Sequence, residues 1–89
     1  MPAALHLHPA DNTCVAVAVI SAQQAITAGT HTVTVGEDIP FGHKIALAKI
    51  AKGEPILKYG QVLGFAGADI EPGQWVHTHN VTLGELDLD

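Results

Sequence analysis

The sequence contains no arginine and a single cysteine, and each shortage narrows what the chain can be. Four lysines face nine acidic residues, giving a formal net charge of −5, so the phosphate neutralisation that nucleic-acid binding requires is missing. Without arginine, a carboxylate ligand would have to be held by lysine, backbone N–H groups, a metal ion or another chain. Cys14 cannot form an intrachain disulfide, and its apolar surroundings predict a buried, inert thiol.

Long hydrophobic stretches and targeting signals are also missing. The N-terminus lacks a basic region followed by an apolar stretch, so no signal peptide is predicted. No apolar run approaches the length needed to span a bilayer. We therefore expect a cytoplasmic protein with no membrane and no nucleic-acid partner.

Aromatic residues are scarce, with only four in 89 residues, while small and branched apolar side chains supply most of the 47% hydrophobic content. Such side chains suit pleated strands, and short β-like runs alternate with Gly- or Pro-marked turns. The sequence thus predicts one mostly β domain over residues 1–89, with a possible helical turn at Ala22–Ala28. The predicted strands are Ala4–His8, Thr13–Ile20, His31–Val35, His43–Ala48, Pro55–Lys58, Val62–Ala66 and Val76–Leu83.

A short pattern, I-x-x-G, recurs in the chain, for example at Ile26–Gly29, Ile50–Gly53 and Ile70–Gly73. Each combines an apolar anchor with a glycine that tolerates positive φ. The pattern predicts a compact fold in which the chain doubles back through similar corners.

Six histidines in so short a chain are the most informative feature of the composition. His77 and His79 flank Thr78 on a predicted strand, where alternate residues share a face. They could therefore direct two imidazoles at one metal ion or ligand, with the Asn80 amide beside them. The competing interpretation is an exposed sheet surface.

His43 and Lys44 follow a glycine at the start of another predicted strand. Imidazole can transfer protons near neutral pH, and an ammonium group can stabilise developing negative charge. A polar turn with a solvated lysine is the alternative. Trp75 follows a Pro-Gly turn and is expected to pack over it or to form a subunit contact.

The other histidines carry less weight. His6 and His8 form a second H-x-H pair near the N-terminus, and His31 is assigned to the surface. Asp11 and Asn12 are typical of a turn or cap that could also present polar groups.

Several motifs, taken in order, resemble one known family. They are His8–Asn12, Gly42–Leu47, Ile50–Gly53, Lys58–Gly60 and Val76–Asn80. Together they resemble the N-terminal SAF (β-clip) domain of the altronate/galactarate dehydratase family, and the likeness spans nearly the whole chain. Thr13-Cys14 departs slightly from the small apolar pair expected there.

The resemblance implies a small β-clip domain and a function. Family members remove water from sugar acids such as altronate to give 2-keto-3-deoxy acids, with a divalent metal, typically Fe²⁺ or else Mn²⁺. A chain ending at Asp89 resembles the small subunit, which would act with a large catalytic subunit, share the metal with it and be inactive alone. Alternatives are a sulfolactate sulfo-lyase small subunit and a non-catalytic SAF-type binding module, and the isolated chain could form a homo-oligomer.

The resemblance also implies roles for individual residues. His43 is expected to be the acid or base and Lys44 its electrostatic helper, while His77 and His79 bind the metal. Asn80 is expected to hold a substrate hydroxyl or to orient a neighbouring histidine. The remaining predicted substrate-binding residues are Lys58, Tyr59, Asp11 and Asn12.

Overall fold

The computed structural model describes residues 3–83, which form short strands joined by tight turns, so the predicted mostly β architecture is confirmed. A 3₁₀ turn, Thr78–Asn80, separates the last two strands. Within the described residues no helix has the length and hydropathy needed to cross a membrane. The strands are β1 (Ala4–Leu5), β2 (Thr13–Ala16), β3 (Ala25–Ala28), β4 (His31–Thr34), β5 (Lys44–Ala46), β6 (Pro55–Lys58), β7 (Gln61–Ala66), β8 (Trp75–Val76) and β9 (Val81–Thr82).

The strands of the described range pair antiparallel in three groups. One sheet has the order β1-β2-β5-β8, β3 and β4 form a hairpin, and the third sheet has the order β6-β7-β9. Strand β5 lies between β2 and β8, with Ile45 opposite both Cys14 and Trp75. This pairing brings the beginning of β5 beside β8, although the two strands lie far apart in sequence.

One backbone arrangement, called the corner below, occurs twice in the chain: two isoleucines that bracket a hairpin exchange backbone hydrogen bonds. Ile20 and Ile39 exchange two backbone hydrogen bonds of 3.0 and 2.8 Å, and Ile50 and Ile70 exchange two of 2.9 and 2.8 Å. Each pair of isoleucines encloses a hairpin, β3–β4 in the first copy and β6–β7 in the second. Since the same apolar anchor occurs at the same place in both copies, the two halves share one folding pattern.

Each copy ends on a glycine with positive φ that leads into the next strand of the main sheet. Gly42 has a φ of 86° and Gly73 a φ of 87°. Gly42 donates its N–H to the Ala16 carbonyl and Gly73 donates to the Ala46 carbonyl, both at 2.8 Å. The equivalent strands β5 and β8 therefore follow equivalent turns and lie side by side.

Isoleucine dominates the core, in keeping with the predicted core of small and branched apolar side chains. Six isoleucine side chains are at most 1% exposed, and burial of each contributes roughly 2 kcal/mol relative to exposure. They divide between two clusters of buried residues, one under each copy of the corner. The six are Ile20, Ile39, Ile45, Ile50, Ile56 and Ile70.

Two local predictions are wrong. The segment Ala22–Ala28 forms no helical turn, because its second half is strand β3, whose alternate residues Ile26 and Ala28 are buried. The predicted copy Ile26–Gly29 of the repeat is not equivalent to the other two, since it forms β3 and its hairpin turn. The period-two burial pattern decides in favour of a strand here.

The predicted strands near the N-terminus are also too long. Pairing ends at Leu5 rather than His8, and at Ala16 rather than Ile20. Further on, the prediction at Pro55–Lys58 is confirmed. The segment predicted as one strand, Val76–Leu83, is broken by the 3₁₀ turn, with consequences for the site described below.

Cys14 is buried, as predicted, with 1% of its surface exposed, and this burial raises the pKa of its thiol to about 11. Because the thiolate is the reactive form, we expect Ellman's reagent at pH 8 to modify the folded protein about a hundredfold more slowly than the urea-unfolded chain. The absorbance of the released thionitrobenzoate measures both rates. Equal rates would mean that the thiol is accessible in the folded protein.

Candidate functional site

The pairing of β5 with β8 brings three ring side chains together. Lys44 lies opposite Val76, so His43 just before β5 approaches the residues of β8 and the turn after it. The indole Nε1–H of Trp75 donates to Nδ1 of His43 across 3.2 Å. The ring centroids of His43 and His77 lie 4.8 Å apart. A predicted catalytic histidine and a predicted metal ligand are thus neighbours.

Trp75 lies at the centre of this arrangement. His77 stacks on its indole at 5.2 Å with 8° between the planes, and the His79 ring lies 5.5 Å away at 55°. His43, His77 and His79 around Trp75 are called the imidazole cluster below. The sequence interpretation assigned Trp75 to packing or a subunit contact and missed this position. Its spacing of two residues from His77 is the signal that could have revealed it.

The turn after β8 is held by Asn80. Its side-chain Oδ1 accepts the backbone N–H of His77 at 2.9 Å, and its Nδ2 donates to the Trp75 carbonyl at 2.8 Å. Asn80 is only 5% exposed. His77 and His79 therefore do not alternate along one strand as predicted. The buried amide also argues against direct contact between Asn80 and a substrate hydroxyl.

A groove of about 410 Å³ opens beside the cluster. Polar groups from Lys44, His77 and Thr78 lie on its wall, and the remaining lining is apolar. The apolar lining residues are Ile56, Leu63, Val81 and Leu83. The groove is large enough for a small organic molecule, and His77 is the member of the imidazole cluster that lines it.

Positive charge is concentrated at the same place. Partial burial and then the charge of Lys58 lower the pKa of Lys44. Partial desolvation, followed by the charges of His43, Lys44 and His79, lowers the pKa of His77. Among residues 3–83 the ion pair that forms joins Lys49 to Glu71 at 3.8 Å, so no described carboxylate compensates Lys44 or Lys58. The charges of Lys44 and Lys58, near each other and without a described carboxylate partner, favour an anionic ligand.

Asp11 and Asn12 support the β6–β7 hairpin. The two carboxylate oxygens of Asp11 accept the backbone N–H groups of Tyr59 and Gly60 at 2.9 and 2.7 Å. Asn12 Oδ1 accepts the backbone N–H of Leu57 at 2.9 Å, and Asp11 is only 5% exposed. These bonds argue against the predicted contacts of Asp11 and Asn12 with substrate, because their polar atoms already serve the backbone.

Lys58 and Tyr59 occupy the end of that hairpin. Tyr59 has a φ of 57° and is 63% exposed, so it projects from the turn. The Lys58 ammonium lies 5.4 Å from the Tyr59 ring centroid. Lys58 is half-buried at the end of β6, and its charge reaches Lys44, which lines the groove. Both residues remain available to a ligand.

The other three histidines lie in a separate groove of about 330 Å³. His6 Nε2 lies 2.9 Å from the Asp11 carbonyl oxygen, and its ring meets His31 edge-on at 5.2 Å. His8 Nδ1 accepts the backbone N–H of Ala10 at 3.0 Å. His8 therefore does not join the imidazole cluster. The sequence could not show this, because it depends on the order of the strands.

The described residues do not form a complete metal site. Within residues 3–83, no group of three His, Cys, Asp or Glu side chains is arranged to hold a metal ion. Two of the cluster's imidazoles could supply part of a coordination sphere, but a bound divalent ion normally has four or more ligands. Residues 3–83 by themselves therefore do not complete the metal site that the resemblance implies.

Residues 2–84 match the altronate/galactarate dehydratase SAF domain model. The chain belongs to this family. Altronate dehydratase of Escherichia coli (strain K12) is 41% identical over 85 residues, which cover 96% of this chain and 17% of that enzyme. Altronate dehydratase of Bacillus subtilis (strain 168) is 34% identical over 88 residues, covering 99% and 18%. The SAF domain described here thus spans less than a fifth of the length of these relatives.

A shorter relative matches part of the SAF domain. The (2R)-sulfolactate sulfo-lyase subunit alpha of Paracoccus pantotrophus is 45% identical over 47 residues, covering 53% of this chain and 70% of that subunit. In that enzyme the related segment is therefore a subunit, whereas in the altronate dehydratases it is part of a long chain.

Proposed function

We propose that this SAF domain is the small subunit of a sugar-acid dehydratase of the altronate type and acts with a separate large catalytic subunit. The carrying observation is the imidazole cluster beside a groove lined by Lys44, with which no carboxylate of residues 3–83 forms an ion pair. In the altronate dehydratases the matched segment is less than a fifth of the chain, so the rest of an active site of that kind would lie outside this segment. An exposed groove on so small a domain also needs a second surface to enclose a substrate.

The charge of the groove supports an acidic substrate. Lys44 and Lys58 are close enough for the charge of one to lower the pKa of the other, and no described acidic side chain pairs with either. Binding a carboxylate between them would relieve this repulsion. The chain has no arginine, so these lysines are its own candidates for holding the carboxylate of a sugar acid.

The chemistry of dehydration suits these groups. A base removes the proton from the carbon next to the carboxylate, and its electron pair forms an enediolate. The bond from the neighbouring carbon to its hydroxyl then breaks, and the hydroxyl leaves as water after protonation. Lys44 would stabilise the negative charge on the carboxylate oxygens, with His43 as the catalytic imidazole that contacts the reacting oxygens. Lys58 and Tyr59 would contact the substrate at the hairpin end.

A divalent metal, Fe²⁺ or Mn²⁺, belongs to the proposal only as an ion shared with the large subunit. His77 and His79 are this chain's candidate ligands, and the large subunit would have to complete the site. Asn80 would act through the turn that carries both histidines.

The second candidate function is that of a sulfolactate sulfo-lyase small subunit. It is favoured by the relative from Paracoccus pantotrophus, of which the match covers 70%. Sulfolactate also carries a carboxylate next to an acidic C–H, and its elimination likewise begins with loss of that proton. The same lysines and imidazoles would therefore serve either leaving group.

The test begins with a pull-down of the tagged chain from its native extract. The eluate is assayed with altronate and ferrous iron, then with sulfolactate. We expect a stoichiometric large partner and a 2-keto-3-deoxy product. In that complex His43→Asn is expected to lower kcat/KM by about a hundredfold or more, because a positioned catalytic imidazole contributes at least that much.

His31→Asn is the matched control, since His31 lies in the separate groove. It should leave kcat/KM within about twofold of the unchanged complex. Sulfite released from sulfolactate, with no keto acid from altronate, would favour the second candidate. A chain that elutes alone without either activity would support a SAF-type binding module, and near-normal turnover of His43→Asn would remove His43 from the chemistry.

A further inference from the structure

The hydrogen bond between Trp75 and His43 determines more than the position of a ring. We infer that Trp75 is a positioning residue that fixes the tautomer of His43, so that His43 meets its ligand as a hydrogen-bond donor through Nε2. The inference deepens the proposed function, on which the catalytic role of His43 rests. It replaces the acid-or-base role predicted from the sequence with a narrower one.

The tautomer follows from what each atom can do. The indole nitrogen of tryptophan is a donor only, and Trp75 Nε1 lies 3.2 Å from His43 Nδ1. Nδ1 must therefore offer a lone pair. In a neutral imidazole one nitrogen carries the proton and the other accepts, so the proton of His43 lies on Nε2. The opposite tautomer would set two N–H groups against each other.

The indole is held firmly enough to impose this choice. Trp75 lies on β8 opposite Ile45, and its carbonyl accepts the Asn80 amide at 2.8 Å. His77 stacks on its ring at 5.2 Å. The His43 ring lies against both Trp75 and His77, with centroids 5.5 and 4.8 Å away. Neither ring can turn without losing these contacts.

The tautomer limits what His43 can do to a substrate. To act as a base His43 would need a free lone pair on Nε2, which the bond to Trp75 disfavours. A neutral imidazole with Nε2–H instead donates to an oxygen on which negative charge develops, as neutral histidines do in other enzymes that form enediolates. Lys44, the next residue in the chain, lines the groove, and His77, which the His43 ring contacts, lines it too. His43 would supply the directed hydrogen bond beside the groove and Lys44 the charge.

The Trp75 indole has two roles, and mutation to alanine would remove both at once. The indole face supports the cluster by stacking, whereas the indole N–H fixes the tautomer. Replacement of Trp75 by β-(3-benzothienyl)alanine keeps the bicyclic shape and puts sulfur in place of N–H. Trp75→Phe is the genetically encoded counterpart, with a smaller ring that also lacks the donor.

The test is ¹⁵N NMR of the whole chain labelled at histidine nitrogens. In the unchanged protein we expect His43 to show only the Nε2–H tautomer. With benzothienylalanine or phenylalanine at position 75, the two His43 nitrogen shifts should move towards each other as the Nδ1–H form becomes populated. Because His31 is remote from Trp75, its signals should not change.

In the active complex the benzothienylalanine variant should lower kcat about tenfold with KM within twofold, as loss of one directed neutral hydrogen bond predicts. An unprotonated Nε2 in the unchanged protein, or an unchanged tautomer in both variants, would overturn the inference. Since the NMR experiment requires no turnover, a fixed tautomer in a protein without dehydratase activity would retain Trp75 as the positioning residue and refute the proposed function instead.

Discussion

Replacing Gly73 with alanine is expected to lower the free energy of unfolding by at least about 3 kcal/mol, while Gly42→Ala should cost only about 1–2 kcal/mol. The two glycines occupy equivalent turns with φ values of 87° and 86°. An alanine at either position therefore pays the same penalty for a left-handed backbone. At Gly73 a Cβ would also overlap the carbonyl oxygen of Thr34, whereas at Gly42 nothing lies within 4 Å of it.

The penalty from backbone conformation is the same in the two variants, so the difference between their free energies of unfolding measures the overlap with Thr34. Urea unfolding followed by tryptophan fluorescence gives both free energies, since Trp75 is the only tryptophan. The overlap involves backbone on both sides, which cannot move aside as a flexible side chain could. Equal losses in the two variants would show that the approach of Gly73 to Thr34 is absent in solution.

Removing the Asp11 carboxylate should be nearly as costly. Asp11→Ala leaves the N–H groups of Tyr59 and Gly60 without their charged acceptor, and we expect a loss of about 3 kcal/mol in the free energy of unfolding. The penalty is large because Asp11 is 5% exposed, so water has poor access to the freed groups. The same urea titration measures it.

Asp69→Ala provides the matched control for this prediction. Asp69 also accepts a backbone N–H, that of Lys52 at 2.8 Å, but it does so at the surface, where water can replace it. We expect a loss of about 1 kcal/mol there. If Asp11→Ala cost no more than Asp69→Ala, Asp11 would not clamp the hairpin, and its predicted role in substrate binding would regain support.

The sequence predicts the fold class better than it predicts the local geometry of the site. Branched apolar residues between glycine turns indicate short strands, and the strand Pro55–Lys58 follows the prediction. The alternation of Val76, Thr78 and Asn80 looks the same whether or not the strand continues. The strand ends because the Asn80 side chain accepts the backbone N–H of His77. Hydrophobic periodicity does not reveal such a hydrogen bond between a side chain and the backbone.

Most contacts at the site that the sequence did not predict join residues that lie far apart along the chain. Asp11 and Asn12 were typical of a turn or cap, and their side chains do bind backbone groups, but those groups belong to the β6–β7 hairpin far along the chain. Likewise His43 and Trp75 are brought together by the pairing of β5 with β8. Residue types identify groups that can bind, whereas register decides which of them meet.

The two copies of the corner meet at the imidazole cluster. His43 precedes β5, the strand that follows the first copy, and Trp75 begins β8, the strand that follows the second copy. The ladder that aligns them joins only Lys44 with Val76 and Ile45 with Trp75. A slip of one residue along it would turn Trp75 away from His43 and invert which side chains face the groove. The alignment of the site therefore depends on a single strand register. Gly73, which lies two residues before β8 and donates to the Ala46 carbonyl, supports that register as well as the stability of the fold.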